Sequence, residues 1–330
     1  MNEPPPVLPT IEFKDRRGGL IGFGILVIFI GCICALFVPL MFVSQALSAK
    51  TTGGEPNYRI IIPGALTYTG IAIAYIWLGI GSILTRRWAR ALLLIVGWVW
   101  LLTGVLTMGV MAVVLPKIFA NPPGGQPMQD AARIVMMIVM LGFLGVFMLA
   151  IPGALVLFYK SPHVKATCEV RDPVRRWTDA CPLPVIALSL ILGFGAVSML
   201  TMPLSYHSVI PFFGRLVSGA AGTFLILAVA ALWGWCAWAT YRLTMAGWWI
   251  VLISYLVMMA SAILTFAQVD LMDMYRQMGY PEEQIAQIQQ YSFVTGRNLM
   301  WLMLFGAVPL VGYLLYVKKY FRLPTPGPAT

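Results

Sequence analysis

Eight long apolar runs, none with Asp, Glu, Lys or Arg in its interior, constrain this chain more than any other feature. They cover about 20–46, 61–85, 91–115, 134–159, 183–206, 216–240, 245–268 and 298–317. A helix needs about 20 apolar residues to cross the hydrocarbon core of a bilayer. Lipid offers backbone groups no partners, so an open chain must satisfy them internally, and a helix does. The runs are continuously apolar and lack the alternation of outer-membrane strands. Hydrophobic residues make up 60% of the 330 and charged residues 10%, too few to cover a water-soluble globule. A soluble enzyme, a disordered protein and a free nucleic-acid binder are excluded. The expectation is an all-α, polytopic integral membrane protein with eight transmembrane helices.

The first run follows Lys14, Arg16 and Arg17, as a signal peptide would. It is too long for a cleaved signal and lacks a clear small-residue cleavage site, so it reads as a retained signal anchor. Basic residues set the orientation. One side holds 15 of the 22 Lys and Arg and the other holds 7, while the acids split 6 and 6. The richer side is expected to be cytoplasmic, with both termini inside, in a cell membrane of the bacterial inner-membrane kind. The basic excess implies contact with anionic headgroups of membrane lipids. The basic residues are scattered among short connections, which argues against nucleic acid as a partner.

The two halves align at an offset near 155 residues. Thr85-Arg86-Arg87 meets Thr240-Tyr241-Arg242, and Ala91, Ile95 and Val96 meet Ala246, Ile250 and Val251. At 157, Pro152 meets Pro309 and Tyr159 meets Tyr316. This predicts two tandem four-helix units in the same orientation, related by an axis along the membrane normal. The expected layout is a cytoplasmic tail over 1–19, a first unit over 20–159 and a linker over 160–182. A second unit over 183–317 and a cytoplasmic tail over 318–330 follow. The Pro-rich ends, the first eight residues and the last seven, read as disordered. Outside, residues 269–297 form the largest loop. Leu271, Met274, Tyr275 and Met278 recur at helical spacing, and Gly279 can end that helix in the left-handed region. Pro281 fits the start of a second short helix, with Ile285 and Ile288 as its apolar stripe. NPPGG at 121–125 breaks the matching first-half loop.

No catalytic constellation is visible, so a non-enzyme is expected, with no cofactor and no metal. His163 lies in the linker and His207 in a short external loop, which leaves no histidine at membrane depth for haem. Ser205 or Ser208 beside His207 lacks an orienting Asp. Cys168, Cys181 and His163 fit no zinc spacing. Cys32, Cys34 and Cys236 lie in apolar spans as small packing residues.

Any central site is expected between the halves near the kinks at Pro152 and Pro309. Tyr68, Tyr75, Thr103, Ser254 and Tyr255 are the candidates to line it. Ser and Thr within spans, Ser261 and Thr265 among them, otherwise read as interhelical hydrogen bonds. Trp98, Trp100, Trp233 and Trp235 sit deep for headgroup anchors. They are candidates for a lipid, quinone or isoprenoid slot, against the alternative of an aromatic belt. Two functions fit: a scaffold, assembly or accessory subunit working with other membrane subunits, or a small-solute or lipid permease with its site between the halves.

Overall fold

A computed structural model describes residues 13–52, 58, 61–120, 129–204, 207–280, 282, 285–286, 289 and 296–321. The Pro-rich ends, NPPGG, Ser205, Pro281 and Ile288 lie outside them. The long helices are α1 (Arg17–Thr52), α2 (Ile62–Ile83), α3 (Arg87–Ala120) and a rod built from α4 (Asp130–Gly145) and α5 (Ile151–Lys160). After the short α6 (Pro162–Arg171) come α7 (Leu183–Thr201), α8 (Gly219–Tyr241), α9 (Met245–Gln268), the short α10 (Leu271–Gln277) and α11 (Gly296–Val317). Seven helical segments are long and apolar enough to cross a membrane: 17–47, 62–83, 87–116, 130–160, 183–204, 219–241 and 245–268. The eighth apolar run forms α11, 22 residues long. Among the described residues the fold is all-α except for one hairpin, β1 (Ile210–Phe212) and β2 (Arg215–Val217), in a segment not expected to be strand.

The helices alternate in direction, so α1 begins and α11 ends at one end of the bundle, here called basal. The deepest core lies there. Leu20, Leu93, Leu155, Tyr159, Val164, Val185, Ile186, Trp248 and Leu314 are all at most 1% exposed and form one cluster. That cluster takes residues from both halves. Toward the distal end the helices present apolar side chains outward, as lipid contact requires. α4 buries none of its residues.

Small residues set the tightest pairing. A Cβ on Gly24 would come within 2.9 Å of the Gly79 carbonyl oxygen, and α1 and α2 therefore touch backbone to backbone there. Ser82 completes the contact by donating to the Leu20 carbonyl at 2.9 Å and pairing with the Tyr159 hydroxyl at 2.6 Å. In the α4–α5 rod, Pro152 has no N–H for the carbonyl of Met148. The turn just before it, Val146–Ala150, widens to a π-helix. A Cβ on Gly104 would fall on that same Met148 carbonyl, so only glycine lets α3 lie against the widened turn.

The segment joining the halves is ordered. α6 turns Val164, Thr167 and Cys168 inward. Asp172, 2% exposed, then meets Arg86 at 3.5 Å and Arg176 at 3.8 Å and accepts from the Arg87 amide at 3.2 Å. Arg87 also bridges Glu169 and Asp179 at 3.5 and 3.4 Å. The chain before α1 joins this cap: Arg16 N–H donates to Thr167, and Asp15 pairs with Arg171 at 2.7 Å. The Arg171 hydrogen bond, helped by the Arg17 amide, holds the Asp15 carboxyl below its ordinary 3.8. That contribution is complete above 3.8 and is lost as pH falls through the lowered value.

The Asp172 cluster predicts that Asp172→Asn lowers the stability of the purified protein in detergent by about 2 kcal/mol, the scale of hydrogen bonds to a charged group. A melting temperature equal to the parent's contradicts the assignment. Burial raises the Cys168 and Cys181 thiols to about 11, with Arg90 opposing the shift at Cys168. Both thiols should therefore resist alkylation at pH 8 until denaturant is added, since the thiolate is the nucleophile. The sign for stability follows: their contribution is complete below 9.0 and falls as pH rises toward about 11.

Candidate functional site: a roofed distal cavity

The α8–α9 pair is closed at its basal turn and open at its distal end. Arg242, Leu243 and Thr244 join the two helices, with Leu243 at φ 57° and the Thr244 amide donating back to Ala239 at 3.1 Å. Moving away from that turn, the helices part around a cavity of about 890 Å³. One wall is Leu225, Ile226, Val229 and Leu232 of α8; the facing wall is Ile250, Ser254, Met258, Ala262 and Phe266 of α9. From Ile250 to Phe266 the cavity follows α9 for about 24 Å, at a rise of about 1.5 Å per residue.

The roof is the β-hairpin together with α10. Phe213 and Gly214 form its two-residue turn, at φ 41° and 88°. Both central residues being positive matches the turn type whose twist suits a hairpin, and glycine takes one of them at no steric cost. Phe213 is the unfavourable occupant, and α9 compensates for it. The Ser261 hydroxyl accepts from the Phe213 amide at 2.9 Å and lies 3.3 Å from the Pro211 carbonyl, to which it donates. The Thr265 hydroxyl accepts from the Gly214 amide at 3.1 Å. On the other flank Ser208 and Thr223 share a 2.6 Å hydrogen bond, and the Gly219 amide donates to the His207 carbonyl at 3.1 Å. The roof is thus pinned to both α8 and α9.

α10 closes the remaining side. Asp270 caps it by accepting from the Met272 amide, and Gly279 ends it at φ 83°, where a Cβ would lie 2.8 Å from the His207 ring. His207, expected in a short loop, lies in a turn before the hairpin and meets the end of α10 at the edge of the roof. The helix expected over Leu271–Met278 and its Gly279 stop are both present, and Ile285 is buried.

Six methionines, Met199, Met202, Met258, Met274, Met278 and Met303, share the lining with Phe212, Phe213 and Phe266. Unbranched thioether chains adapt to irregular apolar occupants. The three serines in the wall offer little, and Tyr275 and Tyr280, which pack ring to ring, are its other polar residues. Ser208 and Ser261 are engaged in the roof, and Ser254 donates back to Val251 at 3.1 Å. The cavity therefore suits a hydrocarbon of the size class that ligand pockets hold.

Of the residues expected to line a central site, only Ser254 faces this cavity; Ser208, Ser261, Met274, Tyr275 and Met278, singled out on other grounds, line it too. Tyr68 packs on Phe37 of α1, and Thr103 is exposed. Tyr255 is half-buried beside the site and outside its lining. Pro152 is buried and Pro309 is exposed, so the two do not bracket one space. The four tryptophans go to different neighbours. Trp100 packs edge-on to Tyr75 and Phe147, at 6.2 and 5.5 Å. Trp233 lies over Gly195 of α7, while Trp98 and Trp235 face outward. The gathering of methionines at one cavity and the hairpin were missed. Six of the chain's 19 Met gather here; Met274 and Met278 belong to the helical stripe read from sequence, but Met199 with Met202, Met258, and Met303 come from separate stretches of the chain and no spacing joins those stretches.

The fold and cavity define a polytopic α-helical membrane protein. No protein-family model, no curated protein and no solved structure matches the chain.

Removing both α9 hydroxyls, Ser261→Ala with Thr265→Val, is expected to free the turn amides. Hydrogen exchange at Phe213 and Gly214 should accelerate by about tenfold or more, since each lost bond is worth about 1 kcal/mol. Unchanged protection there would show that the roof does not depend on α9.

Proposed function

We propose that the chain is a non-enzymatic integral membrane protein, a scaffold, assembly factor or accessory subunit that works through contacts inside a cell membrane. Eight spans, with α11 as the last, return the chain to the side it left. The side to which the sequence assigns 15 of the 22 basic residues, the basal end, is read as cytoplasmic by the excess of Lys and Arg in its connections.

A duplication of four helices supports this architecture, at an offset of 158 residues in place of 155 or 157. Thr85 and Leu243 both occupy the left-handed region, at φ 54° and 57°. Around them the Arg86 amide donates to Gly81 and the Thr244 amide to Ala239, the same pattern 158 residues on. Arg90 then donates to the Tyr159 carbonyl, and its counterpart Trp248 donates to the Leu314 carbonyl, tying the third helix of each unit to the last turns of the fourth.

The observation that carries the accessory reading is the basal clamp. A carrier with its site between the halves must rock one against the other. Here one dry core runs through both halves, Asp172 anchors the connector to the α2–α3 turn, and the Tyr241 hydroxyl of the second half donates to the Trp177 carbonyl of the connector. Such a frame suits fixed presentation of apolar faces, α4 foremost. A permease is the less supported reading, because the large cavity lies inside the second unit.

Extraction from the native membrane in mild detergent, followed by mass spectrometry, is expected to recover a membrane subunit in fixed stoichiometry. Recovery of the chain alone, with solute flux after reconstitution into vesicles, would overturn the proposal. For the topology, an impermeant maleimide should label Lys319→Cys only from the cytoplasmic side and Asp130→Cys only from the opposite side.

A further inference from the structure

We infer that the distal cavity holds the acyl tail of an outer-leaflet phospholipid, with its phosphate at Arg215. The inference rests on the membrane placement proposed above and not on the accessory role.

The shape argues for a chain. The cavity is long, its lining is mostly Met, Phe, Leu, Ile and Val, and the Ser208, Ser254 and Ser261 hydroxyls in its wall are committed to protein partners, so hydrocarbon is what most of its length accepts. The side toward the bilayer is not sealed, because Leu232, Ile253 and Val257 line the cavity and are nevertheless 38%, 55% and 47% exposed. A tail can enter sideways from the surrounding lipid.

The charge at the rim argues for a phospholipid over a neutral isoprenoid. Arg215 pairs directly with Phe212 across the hairpin, so the two side chains leave the same face. Phe212 lines the cavity, and Arg215 is exposed and has no ion pair among the described residues. A guanidinium at headgroup height above an apolar slot matches a phosphate joined to a chain.

The repeat proposed above puts an indole at the matching position of the first half. The position 158 residues before Met258 is Trp100, whose indole packs on Tyr75 and Phe147. Where one unit carries an indole, the other carries a flexible thioether beside an open cavity.

The test uses the full chain in detergent, with phosphatidylglycerol added and native mass spectrometry as the readout. The parent should retain one phospholipid. Met258→Trp should weaken retention by about tenfold or more, equivalent to at least about 1.4 kcal/mol. Arg215→Gln should weaken retention several-fold, and Phe224→Trp, exposed on α8 away from the cavity, should not change it. Melting curves and helix content confirm that each variant is folded, and Ala262→Phe fills the slot independently should Met258→Trp misfold. Equal retention by the parent and both filling variants overturns the inference. So does displacement of the phospholipid by a long-chain polyprenol, or retention of the polyprenol unaffected by Arg215→Gln. Absence of protein partners in native-membrane extracts would defeat the accessory reading while leaving these lipid readouts unchanged.

Discussion

The buried carboxylate of Asp172 is the interaction on which the rest of the arrangement depends. A carboxylate removed from water must find charge and hydrogen-bond partners or lose several kcal/mol. This one finds the Arg86 and Arg176 guanidiniums and the Arg87 amide. The first and last of these belong to the α2–α3 turn, so burying Asp172 fixes the connector against the first half. Once the connector is fixed, Cys181 and Val185 enter the same core as Leu93 and Trp248. The start of α7 is thereby set, and with it the direction of the second half. Lys318, over the Trp248 and Trp249 rings at 4.5 and 4.7 Å, adds a cation–aromatic contact at the same end.

Closure at the basal end leaves the distal end free to part, and backbone chemistry then decides what can sit there. Strands at the margin of a bilayer expose amides that lipid cannot satisfy. The hairpin is tolerable because Ser261 and Thr265 supply acceptors to its turn and Pro211 carries no amide of its own. Those two hydroxyls serve the roof, where interhelical bonding was the expectation. The cavity beneath is consequently a by-product of two constraints: a tight turn at Leu243 and a roof held above it by α9.

How much of this was legible depended on whether the signal was local. The apolar runs were legible because span length and the exclusion of charge are properties of consecutive residues. Gly279 was legible too, as a stop after a helical stripe. The connector helix was not singled out, since α6 buries only Val164, Thr167 and Cys168 amid charged neighbours. The hairpin was illegible because IPFFGRLV offers none of the Asn-Gly or Asp-Gly turn chemistry, and its stabilising acceptors lie about 50 residues away. The proposed repeat has one register in side chains and another, three residues away, in turn conformation. Thr85-Arg86-Arg87 resembles Thr240-Tyr241-Arg242 in side chains, whereas the turn conformation matches Thr85 to Leu243. Apolar sequence aligns by composition, and only backbone geometry fixes the register.

The two proposed units differ where a duplicated protein is free to differ. Helix α3 runs unbroken for 34 residues, and its Gly104 seats the widened turn before Pro152. The corresponding stretch of the second unit breaks at Val269–Asp270, where Asp270 caps a new helix that folds toward His207. The unbroken helix packs its Trp100 against Tyr75 and Phe147. The broken one carries its distal segment sideways into a roof, and no indole stands beneath it. The cavity of the second proposed unit therefore goes with the break in its helix. The difference lies in a helix break and in one position, Trp100 against Met258, where side-chain volume decides between core and cavity.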